Sequence, residues 1–252
     1  MKNQHSNPLL DHLAAHHATA LDEALAWLQE AYAPIGVVVS GTIVRGSAQS
    51  ASDLDLVVVH DQPWRQRIQR WFNGVPCEMF VNPALQIRHQ FDRDATMGRP
   101  VMAHMLATGV MVLDSTGICA DLVQEAKDCL IRGPQVSPLD LLSRQYAIAT
   151  QIEDAGDLRD ADQARARAMA IEAVVEATKW WFLNRGLWLP RAKALFEDLE
   201  QLDRELASQV RAAISEPDAG TQLDLATSVV VELIGHSGFF AWEGDRQPVA
   251  RA

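Results

Sequence analysis

Two short β-branched runs set among Gly, Ser and Asp, Val37-Val38-Val39 and Leu54 to Val59 with Asp55 near its start, constrain the fold of this chain more than any other feature. Runs such as Val37-Val38-Val39 and Leu56-Val57-Val58-Val59, which leave no polar face, suit strands buried within a sheet. They read as two buried strands joined by a turn-rich loop. Val75 to Val81, set between Asn73-Gly74 and Asn82-Pro83, reads as a third strand, and Val110 to Leu113, ahead of Asp114-Ser115-Thr116-Gly117, as a fourth. Before them, Leu9 to Tyr32 keeps Leu13, Leu21, Leu25 and Leu28 at helical spacing, and Ala33-Pro34-Ile35-Gly36 ends that helix. The N-terminal half is expected to be a mixed β-sheet flanked by helices.

The pattern changes after Arg132-Gly133-Pro134-Gln135-Val136-Ser137-Pro138, which breaks both periods. Beyond it lie four long helical patterns, Leu139 to Ala155, Asp160 to Asn184, Arg191 to Ile214 and Thr221 to Phe240, and no strand signal of comparable strength. The expected class is α+β: an N-terminal domain over residues 1–133 and a C-terminal all-α helical bundle over residues 137–252. A chain of 252 residues is long enough for either one large domain or two modest ones with buried cores.

Charge narrows the partners. With 22 basic and 33 acidic side chains the net charge is −11, which argues against a general nucleic-acid-binding surface, since phosphate neutralisation needs a basic stripe. Three widely spaced cysteines, Cys77, Cys119 and Cys129, write neither a disulfide framework nor a zinc knuckle, and suit a reducing compartment. The polar start Met1-Lys2-Asn3-Gln4-His5 is no secretory signal, and the apolar runs are far too short to span a membrane. A cytoplasmic protein without membrane association is the expectation; oligomeric state is not written in the sequence.

Chemistry concentrates in Ser40-Gly41-Thr42-Ile43-Val44-Arg45-Gly46-Ser47 and, five residues on, Asp53-Leu54-Asp55 opening the second apolar run. Residues two apart on a strand project side by side about 6.6 Å apart. Two carboxylates so placed repel unless a cation lies between them, and a hard divalent ion such as Mg²⁺, which keeps positions open for phosphate oxygens, is the expected occupant. Upstream, Gly41 lets backbone N–H groups approach an anion, the Thr42 hydroxyl adds a donor, and Arg45 offers a forked cationic contact. Metal-holding carboxylates and phosphate-holding donors together are the equipment of phosphoryl or nucleotidyl transfer.

Gly41-Thr42, a ten-residue spacer and Asp53-Leu54-Asp55 resemble the signature of the DNA polymerase β-like nucleotidyltransferase superfamily. With a compact first domain followed by a helical bundle, the chain looks most like the antibiotic and small-molecule branch. The resemblance implies that Gly41, Thr42 and Arg45 hold the triphosphate of an NTP, ATP being the expected donor, and that Asp53 and Asp55 hold two Mg²⁺ ions. It also implies a third carboxylate, for which Glu78 in Val75-Pro76-Cys77-Glu78-Met79-Phe80 is the best match, as metal ligand or as base for an acceptor hydroxyl. The implied reaction transfers a nucleoside monophosphate to a hydroxyl of a small-molecule acceptor and releases pyrophosphate. Thr42 departs from the usual Ser of that signature but keeps the hydroxyl.

Each residue has a plainer reading. Asp53 and Asp55 could cap the entry to a strand, Glu78 could face solvent on an edge strand, and Arg45 could be an ordinary surface arginine. Lys179 and Lys193 read better as solvated helix residues than as phosphate ligands, Glu153 and Asp154 are weak alternatives for the base, and His12 and His16 lack the intervening Glu of a zinc helix. Trp180, Trp181 and Phe182 suit a bundle core. At the level of function, the rival is a non-catalytic nucleotide-binding or protein-partner regulatory module on the same fold. Phosphatases and sugar transferases that use Asp-x-Asp fit less well, because here the strand continues past the acids.

Overall fold

The computed structural model describes residues 13–44, 52–244 and 246. It divides into two compact units, Met1–Ala95 with Pro100–Gly133, and Thr96–Arg99 with Pro134–Ala252. Arg45 and His12 lie outside the described residues.

In the first unit, helix α1 (Ala15–Tyr32) leads into β1 (Gly36–Ser40), β2 (Leu54–His60), β3 (Gln66–Phe72) and β4 (Val75–Pro83). Helices α2 (Ala84–Met97) and α3 (Val101–Thr108), strand β5 (Val110–Asp114) and helix α4 (Ile118–Arg132) follow. The sheet order is β3-β4-β2-β1-β5. β2 and β4 run parallel; β1 is antiparallel to both β2 and β5, and β3 to β4. The class is therefore the expected α+β, with a mixed sheet.

The apolar runs occupy the sheet centre because they have no face to give to water. Val37 and Val39 of β1, Leu54, Leu56 and Val58 of β2, and Cys77, Met79 and Val81 of β4 form one core with Ala20, Leu21, Ala24 and Leu28 of α1. Val57, Val59 and Val38 point the other way and are also fully buried; α3 and α4 pack on β1 there. The approach is close: a Cβ on Gly36 would fall 2.1 Å from Cys119 Sγ of α4.

One strand escaped the sequence pattern. β3 reads Gln-Arg-Ile-Gln-Arg-Trp-Phe and is mostly exposed, with an outer edge unpaired among the described residues. It joins β4 through Asn73 (φ 44°) and Gly74 (φ 72°), a two-residue hairpin turn that needs left-handed backbone at both places.

The second unit contains helices and no strand among its described residues: α5 (Pro138–Asp157), α6 (Gln163–Asn184), a short 3₁₀ turn (Ala192–Ala194), α7 (Leu195–Leu202), α8 (Arg204–Ser215) and α9 (Ala219–Ile234). The long helix expected from Arg191 to Ile214 is broken at Asp203, whose backbone is extended (φ −151°) and whose carboxylate accepts a hydrogen bond from the Leu206 N–H to start α8. The last helix stops at Gly235 in a left-handed cap, short of the expected Phe240. Trp180, Trp181 and Phe182 are buried in this unit's core. No helix among the described residues is long and apolar enough to cross a membrane.

Candidate nucleotide site

β2 begins at Leu54, so Asp53 stands just before the strand and Asp55 is its second residue. Leu54, between them, is fully buried under α1, whereas Asp53 is exposed and Asp55 half-buried. This alternation turns the two carboxylates to the face away from α1. Asp55 lies opposite Ser40 of β1 on one side and opposite Glu78 of β4 on the other. A continuous row of polar side chains, Ser40, Asp55, Glu78 and then Gln69 of β3, therefore crosses one face of the sheet.

Gly41 closes β1 with φ at +93°, a conformation L side chains rarely take. It is also pressed against the acid: a Cβ there would fall 2.8 Å from Asp55 Oδ2. Glycine is needed at this turn on both counts, and its absent side chain makes room for the carboxylate. The Thr42 hydroxyl donates to Ser52 Oγ at 3.1 Å and so ties the start of the 42–52 segment to its end.

One positioning residue escaped the sequence reading. His17, buried in α1, places Nε2 3.1 Å from the Ser52 carbonyl oxygen and anchors the backbone immediately before Asp53. The histidines that drew attention in the sequence were His12 and His16; His16 is exposed. Ser40 is fully buried, and its Oγ has no hydrogen-bond partner among the described residues. Its only sequence signal was its place immediately before Gly41.

Glu78 is not on an edge strand, because β3 covers β4 on its outer side. Arg67 of β3 donates from Nε to Glu78 Oε1, with the guanidinium also over the Phe80 ring, 5.4 Å from its centroid. Side-chain exposure is 18% for Glu78 and 64% for Arg67. The guanidinium fixes one carboxylate oxygen and holds the acid in its row. Lys179 pairs with Glu176 as an ordinary helix-surface ion pair.

The carboxylates are felt beneath the sheet. The Cys77 thiol, on the α1 side of β4, is pushed up to about 12, first by burial and then by the negative charges of Asp55, Asp53 and Glu78. Three acids thus act on one buried group at this end of the sheet.

Among the described residues no group of three or more His, Cys, Asp or Glu side chains is arranged to hold a metal ion. Mg²⁺ does not require one: it keeps several waters and commonly binds through one or two carboxylates together with substrate phosphates. Asp53 and Asp55 supply that donor chemistry, the Gly41 cradle leaves space against Asp55 that a side chain would fill, and the buried Ser40 hydroxyl has hydrogen-bonding capacity in hand. The residues fit a Mg²⁺-polyphosphate carried by the aspartate pair, with Glu78 held by Arg67.

Neither a protein-family model nor a curated protein sequence matches the chain. Among solved structures, a nucleotidyltransferase-like protein from Exiguobacterium sibiricum 255-15 is similar in fold, with a TM-score of 0.56 over 85% of this chain and 74% of that chain at 13% identity. The chain shares the nucleotidyltransferase-like fold.

Proposed function

We propose that the protein transfers a nucleoside monophosphate from a Mg²⁺-bound nucleoside triphosphate, ATP in the first instance, to a hydroxyl of a small-molecule acceptor. The observation that carries this reading is Gly41, whose missing Cβ leaves Asp55 Oδ2 against the turn that would hold the phosphates. The shared fold supports it at the level of architecture.

In this reading the Gly41 turn binds the triphosphate through backbone N–H groups, with Arg45 and the Ser40 hydroxyl as further contacts. Asp53 and Asp55 hold the Mg²⁺ ions, two by analogy with the resembled superfamily. Bound Mg²⁺ supplies charge neutralisation on the phosphates and lowers the barrier to oxygen attack. His17 and the Thr42–Ser52 hydrogen bond hold the backbone immediately before Asp53. Glu78, oriented by Arg67, takes the acceptor hydroxyl proton; the acceptor oxygen bonds to the α-phosphorus as the bond to pyrophosphate breaks.

A second reading, a nucleotide-binding regulatory module without turnover, draws on the engagement of Glu78 by Arg67. One experiment separates the two. The protein is incubated with α-³²P-labelled NTPs, Mg²⁺ and a panel of hydroxyl-bearing small molecules, and pyrophosphate is followed alongside label transfer. Transfer lost in Asp55→Asn supports the enzyme; Mg²⁺-ATP binding in calorimetry without turnover under any acceptor supports the module; neither binding nor turnover refutes both.

A further inference from the structure

The polar row on the sheet has a direction. The Gly41 turn lies at the β1 end, the aspartates on β2, Glu78 on β4, and β3 closes the row at the far edge. With neighbouring strands about 4.8 Å apart, β3 stands about 10 Å from β2 and about 14 Å from β1.

The faces of β3 are defined by what they touch. Phe72 and Ile68 pack into the α1 core, and Arg70 lies over the Trp27 ring of α1, 4.6 Å from its centroid. Arg67 meets Glu78 and Phe80 on the opposite face. Trp71 and Gln69 share the odd-numbered face with Arg67, so Trp71 belongs to the carboxylate side, one place beyond the Asp55-Glu78-Gln69 row and opposite Pro76. It is 69% exposed, and its indole makes no side-chain hydrogen bond or ring contact with a described residue.

Resting on the transfer reading above, we infer that Trp71 is the platform for the acceptor, on which a ring of the acceptor stacks while a hydroxyl about 10 Å away reaches the aspartates. Phosphoryl transfer places attacking and leaving oxygens roughly in line through phosphorus. If pyrophosphate departs toward the Gly41 turn, the attacking hydroxyl comes from the β4 and β3 side, where Glu78 receives its proton and Trp71 offers an apolar face. Gln69, between Trp71 and Arg67 on that face, supplies an amide to the acceptor's polar edge. The acceptor class is therefore a ring-bearing hydroxyl compound, of sugar or aromatic ring, in preference to a linear polyol.

The probe is p-nitrophenyl glucoside, which carries both ring types, with sorbitol as the linear control. Its binding to wild type, Trp71→Ala and Trp71→Phe is measured by saturation-transfer NMR and calorimetry in the presence of Mg²⁺ and α,β-methylene-ATP, and pyrophosphate release is measured with Mg²⁺-ATP. Loss of a stacking face is expected to weaken binding roughly ten- to hundred-fold and to raise the acceptor KM similarly, with kcat and the KM for ATP within threefold of wild type. Trp71→Phe should recover most of the binding, and sorbitol should not compete. Acceptor binding that is absent in wild type, unchanged in Trp71→Ala, or matched by sorbitol overturns the platform, and so does a change confined to the KM for ATP. Binding that depends on Trp71 without any pyrophosphate release upholds the platform and refutes transfer instead.

Discussion

Gly41→Ala and Gly74→Ala form a matched pair that isolates the contact on which the site reading turns. Both glycines have positive φ, +93° and +72°. An alanine in left-handed backbone costs about 1–2 kcal/mol, and for a chain of this size each kcal/mol lowers Tm by roughly 2–4 °C. Both variants should therefore melt about 2–8 °C below wild type. Their surroundings differ: a Cβ at Gly74 has no heavy atom within 4 Å, whereas one at Gly41 lies 2.8 Å from Asp55 Oδ2. Ordinary contact begins near 3.4 Å, so the Asp55 carboxylate must retreat by at least about 0.6 Å. Because displacements near 1 Å can cost on the order of a hundred-fold in rate, Gly41→Ala should lose roughly ten- to hundred-fold in pyrophosphate release. Gly74→Ala should stay within twofold. Differential scanning fluorimetry and a coupled pyrophosphate assay read the two quantities on the same samples. A folded Gly41→Ala with full activity, or a Gly74→Ala as impaired as Gly41→Ala, would refute the argument that the missing side chain positions Asp55.

Asp53→Asn and Asp55→Asn should each reduce transfer at least a thousand-fold while leaving the far-ultraviolet circular dichroism unchanged; turnover within tenfold of wild type in either contradicts the metal assignment. The thiols of Cys77 and Cys119 are both raised to about 12, by burial first and by nearby acids second. The folded state therefore keeps protons that the unfolded chain releases above about pH 9, so their contribution is complete below that value and is lost progressively between about 9 and 12. A series of melts over that window should show falling Tm, with a shallower fall in Cys77→Ala; an identical slope would remove Cys77 from the account. Asp203→Ala removes the hydrogen bond that opens α8 and should destabilise the chain by about 1 kcal/mol in urea titration, with Asp203→Asn or Asp203→Ser losing less.

The parts of the fold that were legible in the sequence are those where one physical demand dominates. β2 announces itself because Leu56 to Val59 are all fully buried and cannot belong to a half-exposed element. β3 stayed hidden because it is an edge: five of its seven residues are exposed, and only Ile68 and Phe72 answer to the core. Its one local signature was the Asn73-Gly74 turn, which read as a boundary and not as a hairpin. Missing β3 also meant missing the partner of Glu78, since Arg67 is on that strand. Glu78 was legible as a third acid but not as an interior residue. The break at Asp203 was obscured because apolar spacing runs on either side of it, and only the extended backbone reveals the cap. His17 was invisible for a different reason: a buried imidazole is defined by its surroundings, which no spacing encodes.

The arginines of β3 have a consequence for how copies of this protein meet. An open sheet rim invites another chain to continue the ladder, and the usual deterrent is charge. Here Arg67 projects from one side of the rim and Arg70 from the other, each secured by an aromatic ring. Two molecules that met β3 to β3 would confront guanidinium with guanidinium on both sides of the shared ladder, whereas the sheet's other rim, β5, ends in Asp114. Charge on this border thus works against its continuation by a second β3.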